Sequence, residues 1–258
     1  MRALIANLSD RERRQVADWV GERPETVLVV AALRSGDGRA WIDGDPAAPL
    51  AALIESALVP GEPQGFGESE ALLELLVEAD GWSCVEVDDR LGSEIEQDFA
   101  SRWGPAHSVI DVIHELRKPV AVYDHPLVRQ LSPTEALTLP TTDADLLPDR
   151  RLVAAAAEHG RFFACVNDGV IVGHGGSLAA GQVFADVGVQ VTTTRRRQGM
   201  AIACASRACQ ALQHEGLIPV WGTSSENTAS LAVAQKLGFT ETARLTYLVR
   251  GDGEVSAE

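Results

Sequence analysis

The sequence predicts an α/β fold of the mixed-sheet (α+β) kind, and three observations carry that expectation. Amphipathic helical patterns alternate with short β-branched runs along the 258 residues. Some of those runs follow one another across a two-residue turn, as at Asp168-Gly169, in the manner of antiparallel hairpins. Others are separated by a helical pattern, as in crossover connections. No short-period repeat of the solenoid kind is present.

Taken in order, residues 9–21 read as a helix capped by Ser9 or Asp10. "TVLVVAAL" (26–33) and "GRAWIDGD" (38–45) read as strands joined by a Ser-Gly-Asp-Gly turn. "PLAALIESAL" (49–58) and "ESEALLELLVEA" (68–79) read as helices, and "GWSCVEVDD" (81–89) as a strand. "GSEIEQDFASRW" (92–103) is a further helix, and "HSVIDVIHEL" with "KPVAVYD" closes this half. Rigid turns and polar residues then replace periodic apolar ones in "LSPTEALTLPTTDADLLPDR" (131–150). The expected division is therefore a front domain over 1–130 and a rear domain over 131–258, with "EALTLP" (135–140) as its first strand. Next come a helix "RLVAAAAEH", the strands "RFFACVND" and "VIVGHGGSL", and one long strand "QVFADVGVQVT" (182–192). After "RRRQGMAIA" (195–203) the pattern is a helix through His214, a strand "IPVWGTS", a helix "ASLAVAQKL" and a terminal strand "ETARLTYLVR".

Apolar content of 45% and charged content of 23% suit a water-soluble domain. No window approaches the roughly 18–20 unbroken apolar residues of a membrane span, and "MRALIANLSDRERRQ" lacks the pattern of a signal peptide. A cytoplasmic protein with no membrane partner is expected. The net charge of −15 argues against nucleic acid as a partner and is compatible with an amine substrate. Cys84, Cys165, Cys204 and Cys209 lack CxxC spacing, so they read as buried, reduced thiols, and no metal is expected.

In an acidic chain, the three arginines and glycine of 195–199 stand out. A Val/Thr-rich strand runs through this turn into a helix whose Ile202, Ala205, Cys209 and Leu212 make an apolar stripe. Such a junction presents unpaired N–H groups and the positive end of a helix dipole, which suits a phosphate. Gly199 lets the main chain approach without a Cβ, and Arg196 and Arg197 add charge-assisted bonds.

"RRQGMA" (196–201) resembles the Q/R-x-x-G-x-G/A signature of the GNAT acetyltransferase superfamily, and "ENTASLAVAQKLGF" (226–239) resembles its second signature. The resemblance covers about residues 132–258 and implies a splayed mixed sheet binding acetyl-CoA as co-substrate. By position, Val189, Gln190 and Val191 would face pantetheine through their main chain. Arg196, Arg197, Gln198, Gly199, Met200, Ala201 and Ile202 would wrap the pyrophosphate. Asn227 and Ser230 would contact the coenzyme from the next helix, with Asn227 also fitted to cap it. Gly238 and Phe239 read as a helix stop and a core aromatic.

The resemblance implies an N-acetyltransferase in which a small-molecule or peptide amine attacks the thioester directly in a ternary complex. The family's proton-donating tyrosine is replaced by Ala234, leaving Ser230 or Tyr247 as substitutes. Asp186 is the candidate base; an edge aspartate facing solvent is its other reading. His174 reads as structural or as a proton relay, and Glu226 as a solvated residue before the cap. "PQGFGES" before a helix faintly echoes "RRQGMAI", which suggests that the front domain is a degenerate copy in a tandem arrangement. That copy lacks the arginines and carries Glu68 and Glu70 where an anion would sit. Two alternatives stay open: a non-catalytic acyl-CoA sensor or interaction module, and a domain using 195–201 for another phosphate ligand. The sequence also leaves a homodimer open.

Overall fold

The computed structural model describes residues 7–105 and 107–251. Residues 1–6, where the reading against a signal peptide begins, lie outside them. The chain forms two compact units, 1–113 with 224–226 and 243–258, and 114–223 with 227–242. The division thus falls at 113/114 rather than 130/131, and the last strand is shared out because its second half hydrogen-bonds to the first unit.

In the first unit, Ser9 and Glu12 cap each other reciprocally and start α1 (Asp10–Val20). α2 (Val27–Ser35) occupies the stretch expected as a strand. Its Val27, Val29, Val30, Ala32 and Leu33 are all buried, and burial on so many sides removes the periodicity that separates a short helix from a core strand. β1 (Gly38–Asp45) follows as expected. β2 (Ala48–Ser56) replaces the helix expected at 49–58. β2 lies between β1 and β3 (Gln64–Gly67), and both its faces are covered, Ala51 and Leu53 by Leu72 and Leu76 and Ala52 and Ile54 by Val16 and Val30, so an alanine-rich core strand mimics a helix. α3 (Ser69–Glu78), β4 (Cys84–Asp88), α4 (Asp89–Trp103) and β5 (His107–Glu115) complete the run. β3 and β4 meet in parallel at Gln64 and Glu86.

In the second unit, β6 (Val128–Gln130) precedes α5 (Pro133–Thr138). The expected strand "EALTLP" is thus largely helix: Ser132 and Glu135 form a capping box with Pro133 at the first helical position. α6 (Arg150–Glu158), β7 (Phe162–Asn167) and β8 (Val170–Gly176) agree with the sequence reading. The long strand expected over 182–192 is instead two strands, β9 (Phe184–Asp186) and β10 (Gly188–Val191). α7 (Met200–His214), β11 (Ile218–Ser224), α8 (Thr228–Leu237) and β12 (Thr240–Val249) close the chain. β12 pairs antiparallel with β4 from Leu245–Asp88 to Val249–Cys84, within the first unit.

β10, β8, β7 and β6 form a four-stranded sheet with a core on each face. One core gathers Phe163, Cys165, Val187 and Val191 with α7, and the other gathers Phe162, Ala164 and Ile171 with α5 and α6. α7 is buried more widely than its predicted stripe. "KPVAVYD" forms no strand but docks on it: Gln213 bonds the Lys118 carbonyl (2.7 Å), and the Tyr123 N–H donates to Ser206 (3.0 Å). The two units share one order, helix-helix, three or four strands, helix, strand, helix.

Candidate active site

The break in the expected long strand makes the site. β9 runs parallel to β11 from Phe184–Ile218 to Asp186–Val220, and the last bond between them is Val187 N–H to the Val220 carbonyl (2.9 Å). Among the described residues β10 then pairs only with β8, Gly188 with Gly176 through Val191 with Gly173. The Thr192 N–H bonds the Val172 carbonyl (3.1 Å), which sets the alternation of the ladder. Gln190 and His174 are therefore a bonded pair, while Val189 and Val191 turn their N–H and C=O groups toward the edge facing away from β8. The Gln190 main chain is thereby committed to β8, and the outward-facing main-chain groups of this edge belong to Val189 and Val191.

α7 begins without a side-chain cap at Gly199, whose φ of 83° is left-handed. Arg197 also has a positive φ, 61°, so the turn curls its N–H groups inward as a nest. The first helical-type bond is Ala203 N–H to the Gly199 carbonyl (3.1 Å), and among the described residues the N–H groups of 197–202 donate to no protein acceptor. A Cβ built on Gly199 would meet nothing within 4 Å. Met200 and Ile202 bury their side chains and so contribute main chain only; Ala201 keeps the approach low. Arg195, Arg196 and Arg197 pair with no carboxylate among the described residues, although Arg196 Nε donates to the Val191 carbonyl (3.4 Å). The arrangement fits a diphosphate: unpaired donors, open space and cations converge on one turn. At the echo in the first unit the space is filled, since a Cβ on Gly67 would lie 2.2 Å from the Leu50 carbonyl oxygen.

On the other side of the split, Asn227 caps α8 by accepting the Ser230 N–H (3.1 Å). The Ser230 hydroxyl accepts the indole N–H of Trp221 (2.9 Å), a partner that sequence reading missed although a buried tryptophan needs one. Ala234, at the expected tyrosine position, is fully buried one turn along the same face. Gly238 is the left-handed helix stop and Phe239 packs against Trp221.

Ala185, Val187, Val189 and Val191 belong to the core built around α7, so alternation turns the intervening Asp186 to the opposite face of the strand. Burial pushes its carboxyl up to about 6, against a weaker pull from the Val187 main chain. His174 stacks on Phe162 at 5.1 Å, and neither ring nitrogen reaches a hydrogen-bond partner. Burial holds it down at about 4, against weaker pulls from the Leu146 main chain and the Gln190 side chain, which makes it a neutral core residue at pH 7. Tyr247 lies in the first unit, opposite Glu86 on β4, with its hydroxyl donating to that carboxyl. Burial first, and then the charges of Glu86, Asp111 and Glu62, raise its pKa well above the ordinary value, so it is a poor proton donor. Glu226 is exposed.

The four cysteines are free and buried. Burial pushes Cys84 and Cys209 up to about 12, and Cys165 and Cys204 contact each other at 3.6 Å. Among the described residues no group of side chains is placed to hold a metal ion, and no helix is long and apolar enough to cross a membrane.

A parallel strand pair that parts beside a glycine-started helix is the mixed-sheet arrangement of the GNAT fold. Residues 153–248 match the family model described as GNAT acetyltransferase. The fold recurs in a GCN5-related N-acetyltransferase-like protein from Streptococcus suis, at 20% identity and a TM-score of 0.66, covering 93% of this chain and 99% of that one. It recurs in a GNAT-family acetyltransferase from Colwellia psychrerythraea, at 15% identity and a TM-score of 0.62, covering 97% and 99%. A tandem GNAT protein from the clavulanic acid biosynthesis pathway aligns over 99% of both chains, at 14% identity and a TM-score of 0.54. No curated protein matches the chain.

Proposed function

We propose that the protein is an N-acetyltransferase that moves an acetyl group from acetyl-CoA to a small-molecule or peptide amine, by direct attack in a ternary complex. The parting of β10 from β11 beside the uncapped start of α7 carries this reading. Bound there, the co-substrate supplies an activated acyl thioester. The N–H groups of 197–202 and the guanidinium groups of Arg196 and Arg197 hold its diphosphate. Val189 and Val191 pair with its pantetheine amides, and an N–H on this edge polarises the thioester carbonyl. Asp186, ionised above about pH 6, takes the proton from the attacking amine. Ser230 rather than Tyr247 stands on the leaving-group side, because the Tyr247 hydroxyl is spent on Glu86. The proposed setting is the cytoplasm, in keeping with the four free thiols.

Calorimetry with coenzyme A, followed by thiol release from acetyl-CoA across an amine library, tests the proposal. Saturable binding and acceptor-dependent release are expected; absence of binding refutes it. Ala234 in place of the proton-donating tyrosine favours a second reading, an acyl-CoA sensor without turnover. Tight binding with no release across the library would select that one.

A further inference from the structure

The Trp221–Ser230 hydrogen bond joins the two walls of the leaving-group side. Trp221 is the first residue of β11 beyond Val220, the last to hydrogen-bond across to the β9 side. Its indole is buried, packed edge-on to Phe239 at 5.6 Å, and its N–H has one direction in which to donate. That direction ends on Ser230 Oγ at 2.9 Å. The Ser230 N–H is already held by the Asn227 side chain. A serine oxygen has two lone pairs and one proton, so the indole fills an acceptor position and leaves the proton to be placed.

In a helix that proton ordinarily returns to a carbonyl three or four residues back. Ser93, Ser101 and Ser206 all do this, at 2.9, 2.8 and 3.0 Å. The Ser230 proton reaches no acceptor among the described residues. The indole occupies one side of the oxygen, Ala234 offers only a methyl group one turn on, and the hydroxyl stays half-exposed where the strands part.

We propose that Trp221 is a positioning residue: its indole N–H orients Ser230 so that the hydroxyl donates to the departing thiolate of the coenzyme. The inference rests on the acetyltransferase reading above. In the step it serves, the amine nitrogen bonds to the acyl carbon, the C–S bond breaks, and its electron pair passes to sulfur. The amine proton leaves to Asp186. Ser230 keeps its own proton and shares it with sulfur in a hydrogen bond, since an alcohol is too weak an acid to surrender it to a thiolate.

The test titrates the thiol of bound coenzyme A by its thiolate absorbance, which needs no acceptor. Ser230→Ala and Trp221→Phe should each raise the bound thiol's pKa by about one unit, the scale of a lost hydrogen bond to a charged group. The double variant should raise it no further than either alone. A shift in S230A with none in W221F overturns the role of Trp221, and no shift in either overturns the placement of Ser230. Failure of the wild-type protein to bind coenzyme A overturns the underlying reading instead. Should W221F not fold, the isotope-labelled Trp221 indole N–H resonance in S230A reads the same bond from its other end. It should move in S230A, and in the wild type it should move again as the bound thiol ionises; a resonance still in both cases refutes the proposal.

Discussion

Replacing Gly199 with alanine separates ligand binding from backbone strain, because the same helix supplies a matched control. Gly199 and Gly216 flank α7 with φ of 83° and 82°, and a Cβ on either meets nothing within 4 Å. Alanine at each position therefore carries the same left-handed penalty, about 1–2 kcal/mol, with no clash inside the protein. Both variants should lower Tm by about 2–8 °C. They differ in what lies outside. The space at Gly199 is where a diphosphate would meet the unpaired N–H groups, whereas Gly216 stands at the opposite end of a helix about 22 Å long. Losing one charge-assisted bond costs about 1.5–3 kcal/mol, so G199A should weaken coenzyme A binding roughly 10–150-fold. G216A should leave it within about twofold, under 0.5 kcal/mol. Calorimetry of both variants at a temperature well below melting measures the difference. Equal weakening in the two, or none in G199A, would refute the assignment of the cradle.

Charge removal at Arg197 should weaken coenzyme binding at least about tenfold and flatten its salt dependence, and Arg197→Gly tests this while preserving the positive φ. Asp186→Asn should lower kcat by about 10²–10⁴-fold and abolish the acid limb expected of the wild type near pH 6. Because the folded pKa of Asp186 exceeds the unfolded value of 3.8, the native state binds the extra proton. Wild-type stability relative to D186N should therefore fall as pH rises from about 4 to 6, and then level off. Glu86, pushed up to about 8 mainly by burial, obeys the same sign: melting temperature relative to Glu86→Gln should decline from about pH 4.5 to 8. Tyr247→Phe should extend that decline to higher pH, since its hydroxyl favours the ionised carboxyl.

The arginine-rich turn and its glycine-started helix were legible in the sequence because the pattern is local: a glycine, adjacent arginines and a helix stripe within 15 residues of one another. The Ser132–Glu135 box was equally local, yet the threonines around it drew a strand reading over a helix of six residues. α2 and β2 exchanged identities for a tertiary reason. Burial on nearly all sides erases both the 3.6 and the 2.0 period, so propensity alone decided: valines drew α2 toward a strand and alanines drew β2 toward a helix. The break at Val187 left no trace in "FADVGVQV" because residues on both sides keep one alternation while their neighbours change. The Trp221–Ser230 bond joins residues nine apart on different elements, which no periodicity links.

The slot between β10 and β11 is edged by amides rather than by distinctive side chains. An opening of that kind is inherited with the fold: any residues able to hold an extended conformation at 189 and 191 reproduce it. Solved structures only 15–20% identical share the same overall scaffold, which leaves their loops and helix faces free to differ.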